Sequence, residues 1–412
     1  MKTGTDTAGR TEGYDPAVLR RQFAVLGRDV SWLDNAATTQ RPEAVLRAMD
    51  EFSRRHNANP RRSVHRLGVE ATQAYERARE RVAAFLGAGA AEEVVFTSGT
   101  TAGINMVAGG MARWDVGPGD EVWVTAAEHH SNWVPWQQVA LSMGAALKVV
   151  PVRADGRLDM DAFRQGLAAG RAKWVAAGWV SNVLGAENET RAICEAAHGA
   201  GARVLVDGAQ GAAHLPVDVV RMGCDFFAFS GHKAYGPMGI GALWGRRELL
   251  EQMHPTVFGG EMISRVDDLA TTWADPPYRF EAGTPNAAGA VGLAAALDWL
   301  EGLPAGARAH EAALAREAAK GLAALPGVRV WGPAEGRLSL ASFSVEGIHP
   351  HDVAQVLDGR GIAIRAGHLC AQPLMRRLGV EAVARASFAP YNTFDEARRL
   401  VEGVRAAQEL FT

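Results

Sequence analysis

Apolar residues recur along this chain in two rhythms, and the way the rhythms alternate predicts the architecture. Val45, Met49 and Phe52 fall near a 3.6-residue spacing, as do Tyr75, Ala78, Val82, Phe85 and Leu86, so each set predicts a helix with one buried face. Then come short apolar runs closed by small or turn-forming residues: VVFTSG, EVWVTAAE, LKVVPV, WVAAGWVSN, RVLVDG, DFFAFSG and IGALWG. Such runs read as strands buried on both faces, and their alternation with helical stretches indicates an α/β domain around a mainly parallel, seven-stranded sheet. AAGAVGLAAALDWL, from Ala287, falls short of the roughly 20 residues of a membrane span and predicts a buried helix. Beyond about residue 295 the pattern changes to Ala-rich helices with isolated strands, LASFSV and IAIRAG, as in a smaller α+β domain. The expected division is a large domain over 30–295 and a small one made of 14–29 and 296–412. Residues 1–13 are expected to form a disordered tail.

Composition narrows the function classes. With 43 Lys and Arg against 46 Asp and Glu, the formal net charge of -3 provides no global field for nucleic acid or an anionic membrane surface. Small molecules and proteins are the expected partners. Cys194, Cys224 and Cys370 are sparse and lack CxxC spacing, which argues against a disulfide framework or structural zinc and fits a reducing cytoplasm. The opening MKTGTDTAGRTEGYD has acidic residues and no apolar core, unlike a signal or transit peptide.

The chemistry centres on the stretch from Val204 to Gly241. Two strand-like runs there end in or near Asp207 and Lys233, and a right-handed crossover would bring both to the same sheet edge. A Lys at that edge suits Schiff-base formation with pyridoxal phosphate, and an Asp suits a salt bridge to the pyridine nitrogen. Gly99 to Asn105 follows a strand and opens a helix, so its backbone N–H groups with Thr100 and Thr101 predict a phosphate site, to which Ser230 and His232 can add contacts. Neither GxxxxGK[ST] nor GxGxxG is present. His129, after the run EVWVTAA, is placed to stack on a ring and move protons. A metal held by His129, His130, His214 and His232 is the competing arrangement, but no ligand spacing supports it and no metal is expected. Asn182 and Gln210 are amides in reach of a ring hydroxyl, or plain turn residues. Cys370 lies five residues after Arg365, and a thiol beside positive charge becomes a nucleophile. Arg385 has the planar fork that grips a carboxylate. Taken singly, each of these residues admits an ordinary role as a cap, turn or surface ion pair.

Together, LDNAAT (33–38), GTTAGIN (99–105), AEHHSNWVPW (127–136), SNVLG (181–185), VDGAQ (206–210), SGHKAYGPMGIG (230–241), GGEMI (259–263), FEAGTPN (280–286) and RAGHLCAQPLM (365–375) resemble the class V aminotransferase family, specifically its SUF-type cysteine desulfurases. The resemblance runs from about residue 20 to the last residue. It implies the fold type I of pyridoxal-phosphate-dependent transferases, with the small domain completing the active site. It implies pyridoxal phosphate on Lys233, Asp207 at the pyridine nitrogen, Gln210 at the phenolic oxygen and His129 over the ring. Thr101, Ser230 and His232 would hold the phosphate, and Thr284 that of the other subunit in a homodimer. The implied reaction takes sulfur from L-cysteine onto Cys370, with Arg385 and Arg365 on the substrate carboxylate, for a sulfur-acceptor protein such as one serving iron–sulfur cluster assembly. Another lyase of the family, acting on selenocysteine or a bulkier conjugate, is the alternative, and a non-catalytic sulfur relay a more distant one. Two departures accompany the resemblance. Many relatives read NANVHRGVHTLS where this chain has Arg61 and Ser63 in NANPRRSVHRLG, and Leu369 replaces the His that commonly precedes the nucleophile.

Overall fold

A computed structural model describes residues 14–61 and 63–411; the tail expected over 1–13 lies outside the described residues, as does Arg62. The chain forms two compact units. The larger comprises Arg41–Ser181 and Asn188–Glu301, and the smaller takes its described residues from Met1–Gln40, Asn182–Glu187 and Gly302–Thr412. Residues 30–40 and 182–187, expected in the large domain, group with the smaller unit, and residues 296–301, expected in the small domain, group with the larger. For the first two segments the reason is backbone pairing: Ser31 and Trp32 run parallel to Ile362 and Ala363, and Ala186 bridges Arg337.

In the larger unit the seven apolar runs form the seven strands of one sheet: β1 (Val94–Thr97), β2 (Glu121–Thr125), β3 (Ala146–Val150), β4 (Ala172–Gly178), β5 (Arg203–Asp207), β6 (Phe226–Ser230) and β7 (Gly241–Gly245). Their order is β1-β7-β6-β5-β4-β2-β3. Only β7 runs against its neighbours. The connection between β6 and β7 spans residues 231–240, too short for the crossover that a parallel pair needs. All six parallel strands therefore end on one edge, and β7 begins there, with Gly241 opposite both Thr97 and Ser230. A Cβ at Gly241 would sit 2.4 Å from the Phe229 carbonyl and 2.7 Å from Gly99 Cα, so only glycine lets the β1 and β6 termini close on each other.

Helices α1 (Glu43–Arg55) and α2 (Arg66–Leu86) present the expected apolar faces, and α2 stops at Gly87 in the left-handed conformation. The run from Ala287 forms α5 (Ala287–Glu301), with α3 (Thr100–Val107) and α4 (Val134–Met143) between. Within this unit, buried Glu281 accepts hydrogen bonds from Arg61, from Arg79 at 2.6 and 3.0 Å, from the Tyr75 hydroxyl at 3.0 Å and from Phe96 N–H at 2.8 Å. Both arginines hold its carboxyl below the usual range against the opposing effect of burial. The Arg61 guanidinium also lies 4.4 Å from the Tyr278 ring centre. The unusual residue at position 61 is thus absorbed by a structural cluster, in which loss of one partner strands a buried charge.

The smaller unit is an antiparallel sheet, ordered β8-β9-β11-β10, of β8 (Val328–Trp331), β9 (Leu340–Val345), β10 (Arg365–Gly367) and β11 (Val383–Ser387). Leu314, Leu322, Phe343, Leu357, Leu400 and Val404 are among the residues of its core.

Candidate functional site

Asp207 closes β5 and Lys233 ends the turn Gly231–Lys233 that follows β6, so parallel pairing of these strands brings both to the shared edge. Asp207 is 7 % exposed and accepts Ala209 N–H at 2.9 Å. Burial raises its carboxyl above the ordinary value, opposed by that hydrogen bond and by the Lys233 charge. Buried Gln210 heads the short helix Gly211–His214 beside it.

Next to them α3 starts at Thr100 after Gly99, whose φ of 145° is a glycine conformation and which has no side chain to cap the helix. Ser230 Oγ accepts Thr100 N–H at 2.8 Å and lies 2.7 Å from Thr100 Oγ, while Thr101 Oγ and Ser131 Oγ are 2.7 Å apart. Burial, then the charges of Lys233 and Arg41, push the His232 imidazole down to about 4, so it is neutral at pH 7. A helix start with no cap from its own N-cap residue and ringed by hydroxyls suits a phosphate dianion. With an amine and a buried carboxylate alongside, this donor set fits pyridoxal phosphate.

His129 caps the turn His130–Asn132, its Nδ1 accepting Ser131 N–H at 3.1 Å. The residue before it does more than the sequence signals. Glu128, 2 % exposed, accepts from Thr125 Oγ at 2.5 Å, Gly178 N–H at 2.8 Å and Asn132 Nδ2 at 2.6 Å. One carboxylate thus ties the ends of β2 and β4 to the loop carrying His129. Burial pushes Glu128 up to about 7, opposed by these three hydrogen bonds and reinforced by Asp207. An acid raised from its ordinary 4.5 to about 7 keeps its proton in the folded chain where the unfolded chain has released it. Its contribution to stability is therefore present at low pH and is lost as the pH rises through about 7. Urea midpoints of the cofactor-free protein should show a steeper loss between about pH 5 and 8 in the wild type than in Glu128→Gln. Equal slopes would remove Glu128 from this account.

In the smaller unit, Cys370 is exposed on the loop between β10 and α6 (Gln372–Leu378). Leu369 and Cys370 have φ of 51° and 54°, two successive side-chain-bearing residues in a conformation that costs about 1–2 kcal/mol each. Hydrogen bonds hold them there: Asn182 Nδ2 donates to the Leu369 carbonyl at 2.8 Å, and Cys370 N–H to His368 Nδ1 at 3.1 Å. The Asn182 amide, expected at a ring hydroxyl, is engaged with this loop. Arg385 is 3 % exposed on β11 and donates through Nη1 to the Asn182 carbonyl at 2.9 Å. Burial brings its guanidinium down to about 10, with Asp34 opposing, so it stays charged near neutrality. Asp34 also accepts Arg365 Nη2 at 2.7 Å. Cys194 and Cys224 are buried, and burial raises both thiols.

Of the expected site residues, the larger unit brings together Lys233, Asp207, Gln210, Thr100, Thr101, Ser230, His232 and His129 at one sheet edge. Thr284 is an exposed residue of that unit, after Gly283 with φ of 82°. The smaller unit gathers Cys370, Asn182, Arg365 and Arg385. No group of three or more His, Cys, Asp or Glu able to hold a metal occurs among the described residues. Sequence reasoning gave no role to Glu128 or Asp34, although both stand in quoted motifs. Their neighbours, Ala127 and His129 for Glu128 and Leu33 and Asn35 for Asp34, carried no local signal of burial.

The family model for class-V aminotransferases matches residues 31–400. A cysteine desulfurase of Klebsiella pneumoniae is 47 % identical over 399 residues, covering 95 % of this chain and 98 % of the relative. The crystal structure of the Escherichia coli cysteine desulfurase CsdA, in an S-sulfonic acid form, superposes with a TM-score of 0.91 at 44 % identity, covering 97 % of this chain and all of that one. The apo structure of a cysteine desulfurase from Thermococcus onnurineus also gives 0.91, at 38 % identity over 96 % of this chain and 98 % of the other.

Proposed function

Since the chain belongs to the class-V aminotransferase family, we propose that it takes sulfur from L-cysteine, releasing L-alanine and leaving a persulfide on Cys370. The observation that carries this reading is the Cys370 loop. An exposed thiol is held on two left-handed residues, in the same unit as Arg365 and Arg385. Its relatives of closely similar length bear the name cysteine desulfurase.

Pyridoxal phosphate, when bound, supplies an electron sink for charge that develops at the substrate Cα. Lys233 would hold it covalently and, once released, move the Cα proton. Asp207 would pair with the pyridine nitrogen, Gln210 with the phenolic oxygen, and His129 would lie against the ring. Thr100, Thr101, Ser230, His232 and the start of α3 would take the phosphate. Arg385, with Arg365, orients the substrate carboxylate, and Asn182 steadies the loop of the nucleophile. The Cys370 thiolate attacks the substrate sulfur, the C–S bond breaks with its electron pair passing to carbon, and protonation there completes alanine.

The reading extends to a homodimer in which exposed Thr284 serves a second copy, to a sulfur-acceptor protein of the kind used in iron–sulfur cluster assembly, and to a reducing cytoplasm. All three cysteines are free, and among the described residues no helix is long and apolar enough to cross a membrane. The test is a product assay with cysteine, selenocysteine and bulky thioethers. Cysteine should yield alanine and persulfide sulfur in equal amounts, with the thioethers inert. Pyruvate in place of alanine, or turnover of thioethers alone, would reassign the protein to C–S lyase chemistry.

A further inference from the structure

Register places Arg365 of β10 directly opposite Arg385 of β11, an arrangement of like charges that destabilises a strand pair unless something lies between. Asp34 is that something. It bridges to Ser387 at the end of β11, is 6 % exposed, and directs Oδ2 to Arg365 Nη2 at 2.7 Å and Oδ1 to Arg365 Nε and Arg385 Nη2, both at 3.4 Å. Two guanidinium groups and one carboxylate leave a single positive charge. Arg385 Nε has no hydrogen-bond partner although the atom is buried. Buried donors are nearly always satisfied, so this N–H marks where an incoming acceptor completes the set.

Resting on the functional reading above, we propose that Asp34 sets the charge of the carboxylate site, so that it accepts an amino acid with one carboxylate and excludes one with two. The first carboxylate neutralises the remaining charge and satisfies Arg385 Nε. A second has no cation left and would be desolvated unpaired. Asp34 is here a specificity-determining residue that acts through the two arginines.

The test varies the charge of the site in both directions, with calorimetric titration of the cofactor-loaded protein by L-alanine and L-aspartate. Asp34→Asn leaves two unbalanced cations, and aspartate affinity relative to alanine should rise by about tenfold or more. Arg365→Gln leaves none, and alanine affinity should fall by about tenfold. The double variant has the wild-type charge, and both quantities should return to within about threefold of wild type. A purely structural role for Asp34 makes the double variant no better than the worse single one, which overturns the proposal, as does an unchanged ratio in Asp34→Asn. If Asp34→Asn fails to fold, recovery of alanine affinity from Arg365→Gln to the double variant supports the proposal and persistent loss overturns it. Wild-type protein that desulfurates cysteine while the variants show no charge dependence sinks the role of Asp34 alone. A wild type inert toward cysteine sinks the functional reading, and the two titrations still decide the charge question.

Discussion

Replacing Lys233 by alanine is expected to lower alanine release from cysteine by at least about a thousandfold, because in the proposed reaction one amine both holds the cofactor and moves the Cα proton. Lys233 ends the short turn Gly231–Lys233 and is only partly buried, so truncation opens no cavity in the core. The change should therefore act on chemistry with little effect on folding. Borohydride reduction followed by peptide mass spectrometry gives a second readout. The wild-type protein should carry the reduced cofactor at Lys233, and the variant nowhere. Retained turnover in the variant, or a labelled peptide from another part of the chain, would defeat the assignment of this lysine and with it the pairing to Asp207.

The Cys370→Ala protein should bind pyridoxal phosphate as the wild type does, yet form no persulfide and release alanine from cysteine at least about a hundredfold more slowly. The thiol is exposed, and surface substitutions usually change stability by no more than about 0.5 kcal/mol, so melting should barely move. The residues proposed to hold the cofactor lie in the larger unit, whereas Cys370 belongs to the smaller one. Separate loss of sulfur transfer and retention of cofactor is the pattern expected from that division. Undiminished alanine production would mean that another group, or none, receives the sulfur. Cys194 and Cys224 are poor substitutes, since burial raises both thiols.

Much of the framework was legible along the chain. Each of the seven apolar runs is a strand; six are buried at most positions and so write themselves as apolar blocks, while the edge strand β3 is only partly buried. Asp207 and Lys233 could be assigned to one edge because parallel strands end on the same side. The reversal of β7 was less visible: it follows from the shortness of the 231–240 connection, which a list of strand-like runs does not weigh. Asn182 shows a different gap. Its amide type fitted a ring hydroxyl, while its partner, the Leu369 carbonyl, lies 187 residues away, and local pattern carries no such information. Arg61 stood out as a departure, and only folding put it on Glu281, across another long separation.

Periodicity, block apolarity and the chemical types of a few side chains were determined by the sequence itself: an α/β sheet with helices, a lysine and aspartate at one of its edges, a cysteine among basic residues. Those properties depend on near neighbours, for which order along the chain is the relevant coordinate. The tertiary structure decided which charges share a buried space. Glu128 joins two strand ends to the His129 loop, and Asp34 stands between two arginines that strand register sets face to face. Electrostatic energy depends on distance through space and on exclusion of water, and neither quantity exists until the chain has folded.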